Sequence, residues 1–225
     1  MCGRFVLMTL AKSLASHFRL SEEPDLSPRY NIAPTEAIAI VKVAGEEPRR
    51  ILVMVTWGLV PSWAKDRAMG PRLINARAES AAEKPAFRAA FKYRRCLVPA
   101  DGFYEWKRID GRKQPYLFGT ADRTVFAFAG LWERWSGPDE EVLESATILT
   151  TDANELLRPI HDRMPVILAE ADYDLWLDPT VKTAERLNPL LRPYPAREMI
   201  GHPVSPRVNR AGYEDPDLIV PIQEP

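Results

Sequence analysis

Arg95-Cys96-Leu97-Val98, Phe103-Tyr104-Glu105-Trp106-Lys107, Asp110-Gly111 and Tyr116-Leu117-Phe118-Gly119 succeed one another in the middle of the chain, and their reading decides the fold class. The three longer runs are rich in branched and aromatic side chains, which suit a pleated, half-buried surface. Asp-Gly after the second run suggests a hairpin turn, because both residues tolerate positive φ. Working outward, Ala37–Val43, Arg50–Trp57, Val125–Leu131 and Ala146–Thr151 read as further strands, and Val166–Leu168 as a short apolar one. Thr9–Phe18 suits a helix, with Thr9 as N-cap and Leu10, Leu14 and Phe18 on one face. Weaker helical patterns cover Ala78–Phe91, Ala153–Arg158, Glu170–Trp176 and Thr183–Leu191, interrupted or bounded by prolines. Many strands in series with few helices predict an α+β fold on antiparallel, barrel-like sheets with peripheral helices. The 225 residues, 46% of them hydrophobic, suffice for one domain spanning 1–225.

No run approaches the roughly 20 apolar residues of a membrane span. The first residues lack the basic, then apolar pattern of a secretory signal, so a cytosolic protein is expected. Neither Cys2 nor Cys96 has metal-ligand spacing, and His17, His161 and His202 are scattered, so no metal site is expected. Net charge is −1, but it is polarised. Residues 1–113 hold 20 Lys and Arg against 12 Asp and Glu, and the remainder 10 against 19. A basic first half could supply phosphate contacts, or be no more than an uneven surface.

Met1-Cys2-Gly3-Arg4 is a good substrate for methionine removal, which would expose a 1,2-aminothiol at Cys2. An α-amine is partly neutral, hence nucleophilic, at pH 7. It can condense with an aldehyde, after which the adjacent sulfur can close a thiazolidine ring. Glu105 lies between large aromatics on a predicted strand, a setting suited to proton transfer. His161 sits in a loop, Pro159 to Pro165, ahead of an apolar strand. Asn75 and Arg77 would share one side of an extended segment, one to orient an amine and one to hold a phosphate. Trp57 and Trp63 flank a Gly/Pro loop followed by Lys65, Arg67 and Arg72, a mixture that suits stacked bases and paired phosphates. Each feature also has a plain structural reading: Cys2 as an ordinary small residue, Glu105 on a wet face, His161 as a hydrogen-bonded loop residue, Asn75 as a helix cap, the tryptophans as core anchors. Cys96 reads as core.

Taken in chain order, these segments resemble the SOS-response-associated peptidase family, also described as abasic site processing proteins. The resemblance rests on Met1–Phe5, Tyr30–Thr35, Trp57–Trp63, Asn75–Glu79, Arg95–Trp106 and His161–Pro165. It implies that Cys2, after autocatalytic removal of Met1, is the nucleophile that captures the ring-opened aldehyde of an abasic site in single-stranded DNA. It further implies that Asn75 positions the amine, that Glu105 assists sugar-ring opening, and that His161 acts as acid and base. Arg4, Asn31, Pro34, Trp57, Trp63, Arg77 and Arg163 would contact DNA. A lyase-like activity through the imine, no metal or organic cofactor, a monomeric state and a place in the DNA damage response belong to the same expectation.

Two other classes remain open at this stage. N-terminal-nucleophile amidohydrolases also mature to Cys-Gly, although no Arg-Trp-Ala-Thr-His-Gly-like block is present. A non-catalytic single-strand DNA binder would need Arg77 and the tryptophans but not Cys2.

Overall fold

The computed structural model describes residues 2–45 and 48–223. Its strands are β1 (Phe5–Leu7), β2 (Arg29–Ile32), β3 (Ala37–Ala44), β4 (Arg49–Trp57), β5 (Asn75–Arg77), β6 (Arg95–Ala100) and β7 (Gly102–Ile109). They continue as β8 (Arg112–Thr120), β9 (Phe126–Ser136), β10 (Val142–Asp152), β11 (Arg163–Pro165), β12 (Ile167–Leu168) and β13 (Met199–Pro203). The α-helices are short: α1 (Ala11–Phe18), α2 (Ala78–Ala81), α3 (Arg88–Tyr93), α4 (Tyr173–Leu177) and α5 (Ala184–Leu187).

Strands β10-β4-β3-β6-β9 are paired in that order, and β9 pairs back onto β10, so the sheet closes into a five-stranded barrel. Closure removes the exposed edges that long apolar strands would otherwise present. The second sheet runs β13-β8-β7-β1-β2. Phe5 of β1 locks the two together: its ring meets Trp57 and Phe128 edge-on, at 5.2 and 5.9 Å between centroids. The α+β reading with barrel-like sheets therefore holds, with one departure from purely antiparallel pairing. Strand β10 runs parallel to β4 and β5. These partners lie far apart along the chain, which leaves room for the long crossover that parallel pairing requires.

The strands expected from composition are present, and Asp110-Gly111 is a two-residue turn with positive φ at both positions, 47° and 78°. The helices are shorter than expected. Thr9 does not cap α1, because its hydroxyl donates to Asp101, and Leu10 occupies the cap position instead. Pro85 lies in the break between α2 and α3. Ala153–Arg158 is a run of turns rather than a helix. There the Asn154 Oδ1 accepts the amides of Leu156 and Leu157, and its Nδ2 donates to the Tyr194 carbonyl. Pro189 likewise ends α5 early, giving way to a short 3-10 turn at Asn188–Leu190. Strands β1, β2, β5 and β13 were not legible, being short and set among polar and proline residues.

Candidate functional site

The backbone registers bring Cys2 to the seam between barrel and second sheet. Strand β1 pairs antiparallel with β7, Phe5 opposite Phe103, and the Tyr104 amide donates to the Arg4 carbonyl at 2.9 Å. Continuing that alignment past the strand end runs Cys2 alongside Glu105 and Trp106. The Asn75 Nδ2 donates to the Cys2 carbonyl at 2.8 Å, tying the N-terminal segment to β5. Asn75 and Arg77 do lie on one extended segment, pairing in parallel with Ile148 and Thr150 of β10. The Asn75 Oδ1 is buried with no hydrogen-bond partner among the described residues.

Cys2 is fully buried and Glu105 only 3% exposed. Burial pushes the Cys2 thiol up to about 12, and the Glu105 carboxylate acts in the same direction. The thiol form is thus the resting form. Because the folded-state value lies above the ordinary 9.0, this contribution to stability is full below pH 9 and is lost as pH rises toward 12. The folded chain is expected to react with iodoacetamide at pH 8 at least ~100-fold more slowly than free cysteine, since each unit of upward shift removes about nine-tenths of the thiolate. Timed quenching and mass analysis check this; a rate near that of free cysteine would show that the segment opens readily.

His161 enters from the opposite flank of β10. Its Nδ1 lies 2.9 Å from the Arg163 amide, which donates to it, and 2.8 Å from the Asp162 carboxylate. Arg163 fixes this loop. Its guanidinium donates to both Glu79 oxygens, to Asp152 and to the Thr150 carbonyl, at 2.6 to 2.8 Å. Partial burial works against the Glu79 carboxylate, but its hydrogen bonds to Arg163 hold it below the usual range. The loop bearing His161 is thereby clamped to the segment bearing Asn75 and Arg77.

Several residues expected at a DNA face lie inside instead. Arg163 is buried and spends its donors on that clamp. Trp57 is fully buried and donates to the Ile74 carbonyl, because it fills the barrel beneath Phe5. Asn31 is fully buried, accepting from Arg4 and donating to the carbonyls of Arg210 and Tyr213. Arg4, half-buried, also donates to the Val208 carbonyl. These two hold the C-terminal segment against β1 and β2. Pro34 is half-buried, whereas Arg77 is exposed and Trp63, 58% exposed, presents its indole to solvent. Sequence reasoning missed the C-terminal segment as a support of the site. Trp106, one of the aromatics flanking Glu105, reaches that segment too, its Nε1 donating to the Asn209 Oδ1 at 2.6 Å.

Comparison with known proteins joins these residues to a family. Residues 1–211 match the family described as SOS response associated peptidase (SRAP). The chain belongs to this family. It is 42% identical over 223 residues to abasic site processing protein YoqW of Bacillus subtilis (strain 168), a match covering 97% of this chain and 99% of the relative. Abasic site processing protein HMCES of Xenopus tropicalis is 30% identical over 236 residues, 92% of this chain and 70% of the relative. Among solved structures, a protein from Bacteroides thetaiotaomicron superposes with a TM-score of 0.88 at 26% identity, covering 98% of this chain and all of the other. A phage-related protein from Bordetella bronchiseptica gives 0.73 at 26% identity, covering 90% and 94%. The SRAP fold therefore extends over nearly the whole chain. Among the described residues no group of three or more His, Cys, Asp and Glu could hold a metal ion, and no helix is long and apolar enough to cross a membrane.

Proposed function

We propose that this SRAP protein processes abasic sites in DNA, and that it does so by linking Cys2 covalently to the exposed aldehyde in single-stranded DNA. The observation that carries this reading is the Asn75 hydrogen bond to the Cys2 carbonyl, with the Glu105 carboxylate buried against the same residue. The names of the relatives, abasic site processing proteins, point to the same substrate.

The reacting amine exists only once Met1, which lies outside the described residues, has been removed; we assign that removal to the chain itself. Asn75 anchors the Cys2 carbonyl, and its free Oδ1 is an acceptor for the new amine. Glu105 takes the proton of the sugar hemiacetal as the C1–O4 bond breaks, and O4 is protonated. The amine adds to the resulting aldehyde, and the carbinolamine loses water to give an imine, with His161 passing the protons. The thiol then adds across the C=N bond: sulfur bonds to carbon and the S–H proton ends on nitrogen. Because burial disfavours the thiolate, this last step needs a base at hand, and Glu105 supplies it. Strand cleavage from the imine, by loss of the neighbouring proton and the 3′ phosphate, is the lyase-like branch of the same chemistry. Arg77 and Trp63 supply DNA contacts; Arg4, Asn31 and Arg163 act by holding the frame. We read residues 1–225 as one functional unit, monomeric, acting in the cytoplasm on damaged DNA.

The test is incubation of the chain lacking Met1 with a single-stranded oligonucleotide carrying one abasic site, followed by a denaturing gel and intact-mass analysis. A heat-stable adduct weighing the sum of both partners less one water is expected. An unshifted band with Met1 confirmed absent would overturn the reading.

A further inference from the structure

We infer that the β7–β8 hairpin is a grip for the DNA backbone on one flank of the reacting sugar, an inference that rests on the function proposed above. The hairpin carries Lys107, Arg108, Arg112 and Lys113, against which its acidic residues are only Glu105, turned to the site, and Asp110 in the turn. Arg108 stands directly opposite Lys113 in the ladder, and both are exposed. With a two-residue turn at Asp110-Gly111, Ile109 and Arg112 close the hairpin, so Arg108 and Lys113 form the next, non-hydrogen-bonded pair, in which side chains approach more closely.

Like charges placed opposite one another destabilise a hairpin. Among the described residues Arg108, Arg112 and Lys113 form no ion pair that would relieve the repulsion. A polyanion lying across the pair would offset this repulsion, and each phosphate contact would also release condensed counterions. Position fits this use. Arg108 lies three residues beyond Glu105 on one strand, about 10 Å at ~3.3 Å per residue, so it and Lys113 stand on the other face of the arm, where a DNA strand leaving the site meets them by crossing the exposed end of the hairpin. Lys107 follows Glu105 on the same face, its ammonium 5.7 Å from the Tyr116 ring centroid. Trp106, on the Arg108 face, is packed against the C-terminal segment and stiffens the base of the arm. An open groove of about 590 Å³ lined by Ile109, Asp110, Arg112, Lys113, Gln114 and Pro206 continues the arm toward solvent.

The experiment measures reversible binding of abasic single-stranded oligonucleotides in the full chain with Cys2→Ala, with and without Arg108→Glu, across a salt series. Wild-type crosslinking is run in parallel. Arg108→Glu places opposite charges across the ladder, so thermal stability is expected to stay level or rise. Affinity is expected to fall about tenfold at low salt, and the log–log salt slope to shrink by about 0.7 for each phosphate no longer neutralised. Arg108→Lys should restore both. The weakening should appear with oligonucleotides extended on one side of the abasic site and vanish with those extended only on the other.

Unchanged affinity and slope, with wild-type crosslinking intact, would overturn the grip while leaving the proposed function standing. An equal weakening from both flanks would overturn it in favour of a general field. A lower melting temperature would overturn the like-charge repulsion on which the grip rests. Absent wild-type crosslinking, with the one-flank weakening still present, would instead sink the proposed chemistry and keep the grip.

Discussion

Cys2→Ala is expected to abolish the heat-stable adduct completely while leaving the melting temperature within a few degrees of the parent chain. The side chain is small, and among the described residues its sulfur makes one weak hydrogen bond, a 4.0 Å donation to the Arg4 carbonyl, so truncation removes a single buried atom from the core. What it removes is the second nucleophile. Without sulfur the reaction stops at the imine, which water reverses, and the denaturing gel shows no band. Cys2→Ser separates the two steps. Its hydroxyl is a poor nucleophile at neutral pH, so the imine should persist only transiently and become visible when borohydride reduces it. The amine of Cys2→Ala should be trapped in the same way. A stable adduct from Cys2→Ala without reductant would end the thiazolidine mechanism, whereas no trapped product from either variant would show that the amine is not the attacking group. Asn75 gives a finer reading. Replacing it with Ala removes both the anchor on the Cys2 carbonyl and the buried Oδ1, so capture should slow at saturating DNA rather than weaken in affinity.

The strand-rich core and the central hairpin were legible because their signals are local. Asp110-Gly111 needs positive φ at two successive residues, and few other dipeptides satisfy that. Strand β1 was not legible for the opposite reason. Phe5–Leu7 is three residues long, and it is a strand only because Phe103 and Ile32 lie beside it. The site depends on that pairing, so its assembly could not be read from spacing. The residues named for DNA contact could not be sorted into surface and scaffold from the sequence. An arginine or tryptophan in a loop motif suits a nucleic-acid surface and a buried scaffold equally well, and only burial separates them. Trp57 is inside because the barrel needs a large ring beneath Phe5, and Arg163 because two carboxylates and a carbonyl converge on it. Trp63 and Arg77 remain at the surface.

Arg95→Leu is expected to do the reverse of Cys2→Ala, removing stability while sparing the chemistry of each folded molecule. Arg95 is 5% exposed, and its donors reach five backbone carbonyls: Phe91, Lys92, Trp176, Asp178 and Val181, at 2.5 to 3.1 Å. Burial pulls the guanidinium down to about 10, still charged at neutral pH. Among the described residues no carboxylate pairs with it directly; the carbonyl dipoles face its charge together. Leucine has similar apolar bulk at its base but no donors, so five carbonyls would lose this donor at once; those of Phe91, Trp176 and Val181 accept it in buried surroundings, while the Asp178 carbonyl keeps the Val181 amide. Such groups cost ~1–3 kcal/mol each when orphaned, and local relaxation and water penetration keep the total below their sum. A loss of about 3–5 kcal/mol is the expected range, a large share of a typical 5–15 kcal/mol. For a chain of this size that corresponds to a fall in Tm of roughly 10 °C or more. The damage should centre on α4 and the segment that follows it, which Arg95 pins to β6 and α3. Cys2, Asn75 and Glu105 are held by other contacts, so at low temperature the variant should still form the DNA adduct at nearly the parental yield. Thermal denaturation and crosslinking on the same preparation check both halves, and a normal melting temperature would mean that the five carbonyls find other partners.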